Sequence, residues 1–527
     1  MESHLEIARA TGNIAGMTVI SRTLGFIRDI LIASFFGTTM AADAFFIAFR
    51  IPNILRHLLA EGALSAGFVP VFAETHTQGG KEELWKLVKI VFTLMFLLLL
   101  ILVILGIIFA PWLVRIIAPG FIHHPDKLKL TIHLSRLIFP YLFFIGLAAV
   151  GMGALNSLKH FSIPAFSPAV LNISLIIFLI FVCRHMQVPI YGLTLGVVVG
   201  GVGQFLIQLP PLLRRGWPPS LFFNFRKTWQ EVKTHPQIRK IGILLTPAMF
   251  GLAIHQLSLL IDTLLASFLP EGSVSYLYYG NRLMQLPLGV FGIALATASL
   301  PILSAQAAKK DLENFRKTLT FSLRSMLFIT LPAMVGLIVL RYPIIRLLFA
   351  HGAFSEASVQ GSASTLLFYS LGLCSYAGVK MVVAGFYALQ DTRTPLRIGF
   401  LVLVVNAVLN LILMGPLKSG GIALATALSS TMSFFIFLAV LKGRIGPLEY
   451  DSIKDSFLRI LSAAIIMGGV CFLVAQGLSR PDMGILGKII QVGCSIIFGL
   501  GAYISACLFF RLEEINSLKN LILKHKR

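Results

Sequence analysis

Apolar runs of about twenty residues or more recur from one end of this chain to the other, each closed by a turn residue, a proline or a cluster of charge. A helix of about twenty residues is as long as the hydrocarbon layer of a bilayer is thick. Read against that punctuation, the runs predict fourteen helices, near 10–35, 40–74, 85–117, 128–157, 164–184, 190–213, 238–269, 273–305, 316–349, 358–389, 395–415, 420–441, 456–478 and 484–511. The runs are continuous rather than alternating, which excludes a transmembrane β-barrel. The fold class is therefore an all-α polytopic membrane protein.

The pattern repeats. Asp29–Phe35 reads DILIASF and Asp262–Phe268 reads DTLLASF; Arg50 matches Arg282, and FVPVFA around Pro70 matches SLPILS around Pro301. LVRII with Arg115 matches IIRLL with Arg346, and GLTLG from Gly192 matches GIALA from Gly421, so the offset stays between 229 and 233 residues. Six spans restore the starting orientation, so the halves form two six-helix lobes of the same hand. Repeats of this kind place a substrate site at their interface and move it by rocking. The expected organisation is an N-terminal lobe over 1–215, an interfacial linker over 216–237, a C-terminal lobe over 238–445, and two additional helices with a basic tail over 446–527.

Composition agrees with this class: 57% of the residues are hydrophobic and 13% charged, with a mean hydropathy of +0.86. A soluble domain could not clothe its surface with so little charge. The net charge of +22 raises the question of nucleic acid, but no basic soluble domain is present to bind it. The cations sit instead in alternate loops. Twenty-six lie on the side holding both termini and six on the other, which places both termini in the cytoplasm. The linker carries Trp217, Phe222, Phe223, Phe225 and Trp229 among basic residues, as an interfacial amphipathic segment would. The start, MESHLEIARA, has mixed charge and no short apolar core, so no cleavable signal peptide is expected and the first span directs insertion. Cys183, Cys374, Cys471, Cys494 and Cys507 lack CxxC spacing and read as small packing residues.

The charge that matters lies between Ser21 and Pro70, where apolar sequence carries Arg22, Arg28, Asp29, Asp43, Arg50, Arg56, His57 and Glu61. An ionised group at mid-membrane costs about 2.5–3.5 kcal/mol even on a lenient scale, so such groups persist where they pair or line a wet cavity. The repeat breaks here: the counterparts of Arg22, Arg28 and Arg56 are His255, Ile261 and Leu288. Three arginines peculiar to the first lobe, with Arg282 from the second, predict an anion pocket, because guanidinium is always charged and its fork matches phosphate oxygens. The competing reading is structural pairing of Arg28 with Asp29 or Asp43, Arg56 with Glu61, and Arg282 with Asp262. On an unbroken helix Asp43, Arg50, His57 and Glu61 fall within about 40° of one face; Asp43, Arg50 and His57 read as a stripe that orients the helix. Further on, Asp262, Asn406, Asn410 and Thr426 offer oxygens that suit a monovalent cation or a proton-linked carboxylate, or equally serve as interhelical hydrogen-bond glue. No Walker A, HExxH, GxSxG or aspartate-rich Mg²⁺ motif occurs, so the chain does not read as an enzyme and any uphill movement needs an ion gradient or the membrane potential.

SRTLGFIRD, then ADAFFIAFRIPNILRHLLAEGALSAGFVP, then YLYYGNRLMQLPLGVFGIALATASLP closely resemble the MurJ (MviN) family of lipid II flippases, in the multidrug/oligosaccharidyl-lipid/polysaccharide exporter superfamily. The resemblance spans essentially the whole chain. It implies a fourteen-helix flippase of the bacterial cytoplasmic (inner) membrane that carries lipid II, an undecaprenyl-diphosphate-linked peptidoglycan precursor, between leaflets by alternating access. It implies substrate-binding roles for Arg22, Arg28, Arg56 and Arg282, with Asp29, Asp43, Asn53 and Glu61 among the matched polar residues, and a lipid-tail groove along the last two helices. It also implies a sodium site at Asp262, Asn406, Asn410, Ile422 (by its carbonyl) and Thr426, with Na⁺ or H⁺ as the coupling ion. Asn410 stands where a carboxylate can occur, and Asn281 and Gln285 stand where other members have acids. Partners would be lipid II, membrane lipids and the cell-wall synthesis machinery, with no nucleic acid and no organic cofactor. The alternatives are a polysaccharide-lipid flippase or drug exporter of the same superfamily, a membrane transferase acting on polyprenyl phosphates, or a scaffold of the cell-wall machinery. A drug exporter would favour carboxylates and aromatics over arginines, and a transferase would need an acidic site that the sequence does not offer.

Overall fold

The computed structural model describes residues 2–58, 67–217, 232, 235–480 and 483–515, with the backbone alone for 2–15, 246–248, 250–252 and 255. Glu61, His255, most of the linker (Phe222, Phe223, Phe225 and Trp229 included) and the tail beyond Ile515 lie outside the described residues or side chains. The described chain is helical, without a strand. In order the helices are α1 (Glu2–Phe36), α2 (Met40–Arg56), α3 (Val69–Ile117), α4 (Pro125–Ser157), α5 (Ser162–Ile177), α6 (Pro189–Leu206), α7 (Leu209–Arg214), α8 (Pro236–Ala266), α9 (Ser273–Pro287), α10 (Ile293–Ala308), α11 (Leu312–Val339), α12 (Arg341–Leu348), α13 (Glu356–Leu371), α14 (Leu373–Ala388), α15 (Arg393–Leu417), α16 (Ser419–Ile445), α17 (Tyr450–Gly477) and α18 (Ile485–Phe509).

Helix is present at each of the fourteen expected positions. Ten of the described helical segments are long and apolar enough to cross a membrane, eleven if α13 and α14, bent by 42° at their junction, count as one. Several expected spans are broken rather than straight. After α2 the chain takes a π turn at His57 and Leu58, and Gly67 and Phe68 are π-helical ahead of α3. In the second half, α9 passes through a π-helical segment at Leu288–Gly292 before α10. At the repeat offset these breaks coincide, so the repeat seen in sequence is also a repeat of backbone irregularity. The second and third expected spans meet at Gly80, whose φ of 74° and ψ of −168° interrupt α3. That left-handed φ is one that glycine adopts without cost.

Two compact units result, Met1–Phe268 and Leu269–Arg527. In the first, α4 is the central element, burying Leu134, Ile138, Tyr141, Leu142 and Leu147 against α2, α3 and α6. Helix α8 packs on α3 within this unit, with Lys240 of α8 paired to Glu74 of α3. Trp217, at the start of the expected linker, is buried with its ring 5.5 Å from Phe92, edge to face.

In the second unit one core joins α11, α14, α16, α17 and α18 through Phe315, Leu323, Met381, Phe437, Met467 and Cys507. The two last helices are bound into it by polar contacts as well. Tyr503 of α18 donates to the Phe328 carbonyl of α11 at 2.7 Å, and Arg324 of α11 donates to Glu514 at 2.8 Å, Glu513 at 2.9 Å and Ser452 at 2.9 Å. Lipid is as apolar as leucine, so packing between membrane helices rests on close fit and hydrogen bonds rather than on hydrophobic transfer. Gly421 shows the fit: a Cβ there would lie 2.1 Å from the Leu413 carbonyl oxygen. The outward faces of α17 and α18 stay apolar, with Leu473, Leu486, Ile497 and Phe509 exposed, as lipid-facing helices require.

Candidate functional site

Within the first unit, α1 and α5 run side by side, and their contact holds the first charged cluster. Arg28 donates through Nε to Asp29 Oδ1 at 2.9 Å and through Nη2 to the same oxygen at 2.6 Å. Its Nη1 donates to Asn172 Oδ1 on α5 at 2.9 Å. Asn172 in turn donates from Nδ2 to the Ser21 carbonyl at 3.0 Å, closing the cluster back on α1. Asp29 is fully buried, while the Arg28 side chain keeps 13% of its surface exposed. A guanidinium anchored on one edge by a carboxylate and an amide is held in one orientation. Arg22, one and a half turns earlier, is exposed and has no hydrogen bond or ion pair among the described residues.

The end of α2 supplies the second cluster. Arg56 donates through Nε to Asn53 Oδ1 at 3.0 Å, and its Nη2 lies 3.0 Å from His57 Nε2. Ile51, Ile54, Leu55 and Leu58 occupy the opposite face of α2 and line an apolar groove of about 530 Å³ shared with α3, α4 and α8. One helix thus turns a cationic face one way and a purely apolar face the other.

Asp43 meets a partner that sequence reasoning missed. Lys127, at the start of α4, lies 2.7 Å from Asp43 Oδ2, with side-chain exposures of 7% and 1%. Its ammonium also sits 4.2 Å from the centroid of the Phe121 ring. The signal was present in the break of the repeat. The offset sets Ser275 opposite Asp43 and Ser358 opposite Lys127, two buried serines where the first unit has an ion pair.

In the second unit Arg282 is partly buried on α9, with Asn281 before it accepting a hydrogen bond from Gln285. Four of the residues expected at a cation site come together there. Asn410 Nδ2 donates to Asn406 Oδ1 at 3.1 Å, Asn406 Nδ2 lies 3.5 Å from Thr426 Oγ1 and 3.4 Å from Ser429 Oγ, and Thr426 donates to the Ile422 carbonyl at 3.0 Å. The Asn406 amide oxygen and the Ile422 carbonyl each accept from a donor on their own helix, and the contacts that cross from α15 to α16 are those of Asn406 Nδ2 with Thr426 and Ser429. Asp262, the fifth expected ligand, belongs to α8 in the first unit, where it is 7% exposed. No group of three or more His, Cys, Asp or Glu side chains that could hold a metal ion occurs among the described residues.

On the loops of the first unit that carry excess Lys and Arg, a polar pocket is lined by His76, Lys81, Ser157, Lys159 and Arg215. His160 beside it is held below the usual histidine range by burial, reinforced by the neighbouring Arg215 guanidinium.

Ten or eleven helical segments long and apolar enough to cross a membrane, several of them broken, define a polytopic helical membrane protein. Proteins of known structure share the architecture: a multidrug-resistance transporter of the MATE family, described as inward-facing and of the MOP superfamily, aligns with a TM-score of 0.65 at 17% identity over 82% of this chain and 95% of its own. Sequence comparison is more specific, and the chain belongs to the lipid II flippase MurJ family, whose family model matches residues 32–486. It is 35% identical over 467 residues to the lipid II flippase MurJ of Burkholderia cenocepacia, covering 88% of this chain and 90% of the relative. The probable lipid II flippase MurJ of Buchnera aphidicola is 34% identical over 514 residues, 97% of each chain. Among solved structures, a lipid II flippase MurJ in an inward closed conformation aligns with a TM-score of 0.78 at 28% identity, over 94% of this chain and 98% of its own. These relatives are named as transporters, not enzymes.

Proposed function

We propose that this chain is a lipid II flippase of the bacterial cytoplasmic membrane, with both termini on the cytoplasmic side. The supporting observation is Arg28, a half-buried cation of α1 that Asp29 and Asn172 hold in one orientation. A diphosphate cannot cross hydrocarbon bare, because the desolvation of each charge costs several kcal/mol or more. Guanidinium groups compensate that charge with paired, charge-assisted hydrogen bonds. In this reading Arg22, Arg28, Arg56 and Arg282 receive the diphosphate, Asp29 and Asn53 set the angle of the guanidinium beside each, and the Asp43–Lys127 pair fixes α2 against α4. The prenyl chain stays in lipid, along the apolar outer faces of α17 and α18. Alternation between two states exposes the cations first to one side and then to the other. An ion gradient or the membrane potential supplies the drive.

The test is genetic. In a bacterium depleted of its own lipid II flippase, this chain should restore growth, and Arg28→Ala or Arg282→Ala should abolish the rescue at unchanged protein level. Growth with both substitutions together would overturn the assignment of the arginines; failure of the unaltered, membrane-inserted chain to rescue would overturn the function.

A further inference from the structure

The polar pocket of the first unit is distinct from the arginine clusters described above and is not used by the flippase reading. It encloses about 350 Å³ between the Gly80 kink of α3, the C-terminal end of α4 and the turn after α7, at the small end of the range for ligand sites. Lys81, Lys159 and Arg215 line it with His76 and Ser157, and no carboxylate does. Of the acids on α3 nearby, Glu74 pairs with Lys240 and Glu83 with Lys86, while Glu82 follows Lys81 in the chain without lining the pocket. Neither the Lys81 nor the Lys159 side chain has an ion pair or hydrogen bond among the described residues. Arg215 is oriented from behind, its Nη1 donating to the Pro211 carbonyl at 3.4 Å and its Nη2 to His160 Nδ1 at 3.1 Å. His76 Nδ1 is buried without a hydrogen-bond partner among the described residues, as is His160 Nε2.

Half-buried Arg215 and the exposed Lys81 and Lys159 converge on one concave site whose lining holds no carboxylate, which favours an anion there. Its place at the loops that carry the Lys and Arg excess says which. Trp85 and Trp217 are buried beside it, with Trp85 Nε1 3.6 Å from where a Cβ on Gly216 would stand. Basic pockets between membrane helices on the basic side take lipid phosphates. We propose that His76, Lys81, Ser157, Lys159 and Arg215 form a binding site for a phosphate group, supplied by an anionic membrane lipid. Lysine and arginine neutralise the phosphodiester, and the Ser157 hydroxyl and the histidine ring nitrogens complete its hydrogen bonding. Occupancy would tie the ends of α3, α4 and α7 together.

The experiment uses the full chain in nanodiscs. Wild type, K81Q/K159Q/R215Q and the equally discharged control K309Q/K310Q/R393Q are compared for phosphatidylglycerol retained on the protein by native mass spectrometry, and for inorganic pyrophosphate binding in phosphatidylcholine discs. Retention should fall about a hundredfold in the pocket variant, each cation near a lipid phosphate contributing roughly fivefold, and stay unchanged in the control. Pyrophosphate binding lost with the pocket, while lipid retention is unaltered, would uphold phosphate chemistry with a soluble source. Equal loss in pocket variant and control, or no loss in either, overturns the site. Lys159→Gln alone, a milder change, provides the same comparison should the triple variant lower the thermal midpoint.

Discussion

Removing one member of the Asp43–Lys127 pair probes how this protein holds buried charge. At 2.7 Å and an effective dielectric constant near 20, the two charges attract by about 6 kcal/mol. Desolvation of both offsets much of that, so the pair itself adds little over an apolar pair of the same shape. Taking away one partner is different, because the other is left charged and buried, at a cost of about 3–5 kcal/mol. The Phe121 ring 4.2 Å from the ammonium returns about 1 kcal/mol to Lys127 when Asp43 is lost, so Asp43→Asn should cost less than Lys127→Met. The double variant should lie close to wild type, giving a coupling energy of at least about 2 kcal/mol. Chemical denaturation of the four purified proteins in mixed micelles measures the cycle, and growth of a flippase-depleted strain gives the functional readout. In this account the double variant recovers both stability and growth, because Asp43 positions α2 and does not touch substrate. Additive small effects would refute the pairing. Recovered stability without growth would return Asp43 to the substrate.

Other parts of the molecule give independent tests. Arg324→Ala should cost about 3 kcal/mol and expose the 510–515 segment to protease, since Arg324 is the donor to Glu513 and to buried Glu514; limited proteolysis of the purified chain reads this. Gly421→Ala should destabilise by at least about 2 kcal/mol, because its methyl would overlap the Leu413 carbonyl 2.1 Å away and force α15 from α16; thermal unfolding is the measurement. His160 binds a proton less readily in the fold than in the unfolded chain, so between its folded value and 6.5 the unfolded state holds more protons. Stability should therefore fall as pH drops through that window, and His160→Gln should flatten the dependence measured by unfolding at graded pH.

Much of this was legible in the chain. Apolar runs with charged punctuation located helix at every expected position, because membrane helices must satisfy their backbone internally and few other solutions exist. The arginines stood out because charge in hydrocarbon is costly and the second half of the repeat lacks them. Partners were harder to read. Arg28 was open between Asp29 and Asp43, and only the packing of α1 on α5 brings Asn172 to it. Lys127 looked like a loop cation, since a residue at a span boundary gives no sign of its depth; comparing it with Ser358 at the repeat offset would have raised the question. Pro52 and Pro287 mark bends ahead of His57 and Leu288, but a proline does not say that the irregularity takes the form of a π turn. The basic pocket joins three loops far apart in sequence, and the loops' charge was fully accounted for by topology alone.

Translocation itself is the most direct measurement. Purified full-length protein is reconstituted into vesicles containing lipid II with a headgroup fluorophore, and the label in the inner leaflet is followed as it becomes accessible to an external quencher. The wild-type chain should render essentially all of the label accessible, and R28A/R282A, equally well inserted, should leave the inner-leaflet share protected. Protection equal to that of protein-free vesicles for the wild type, or full accessibility for the double variant, would contradict the account.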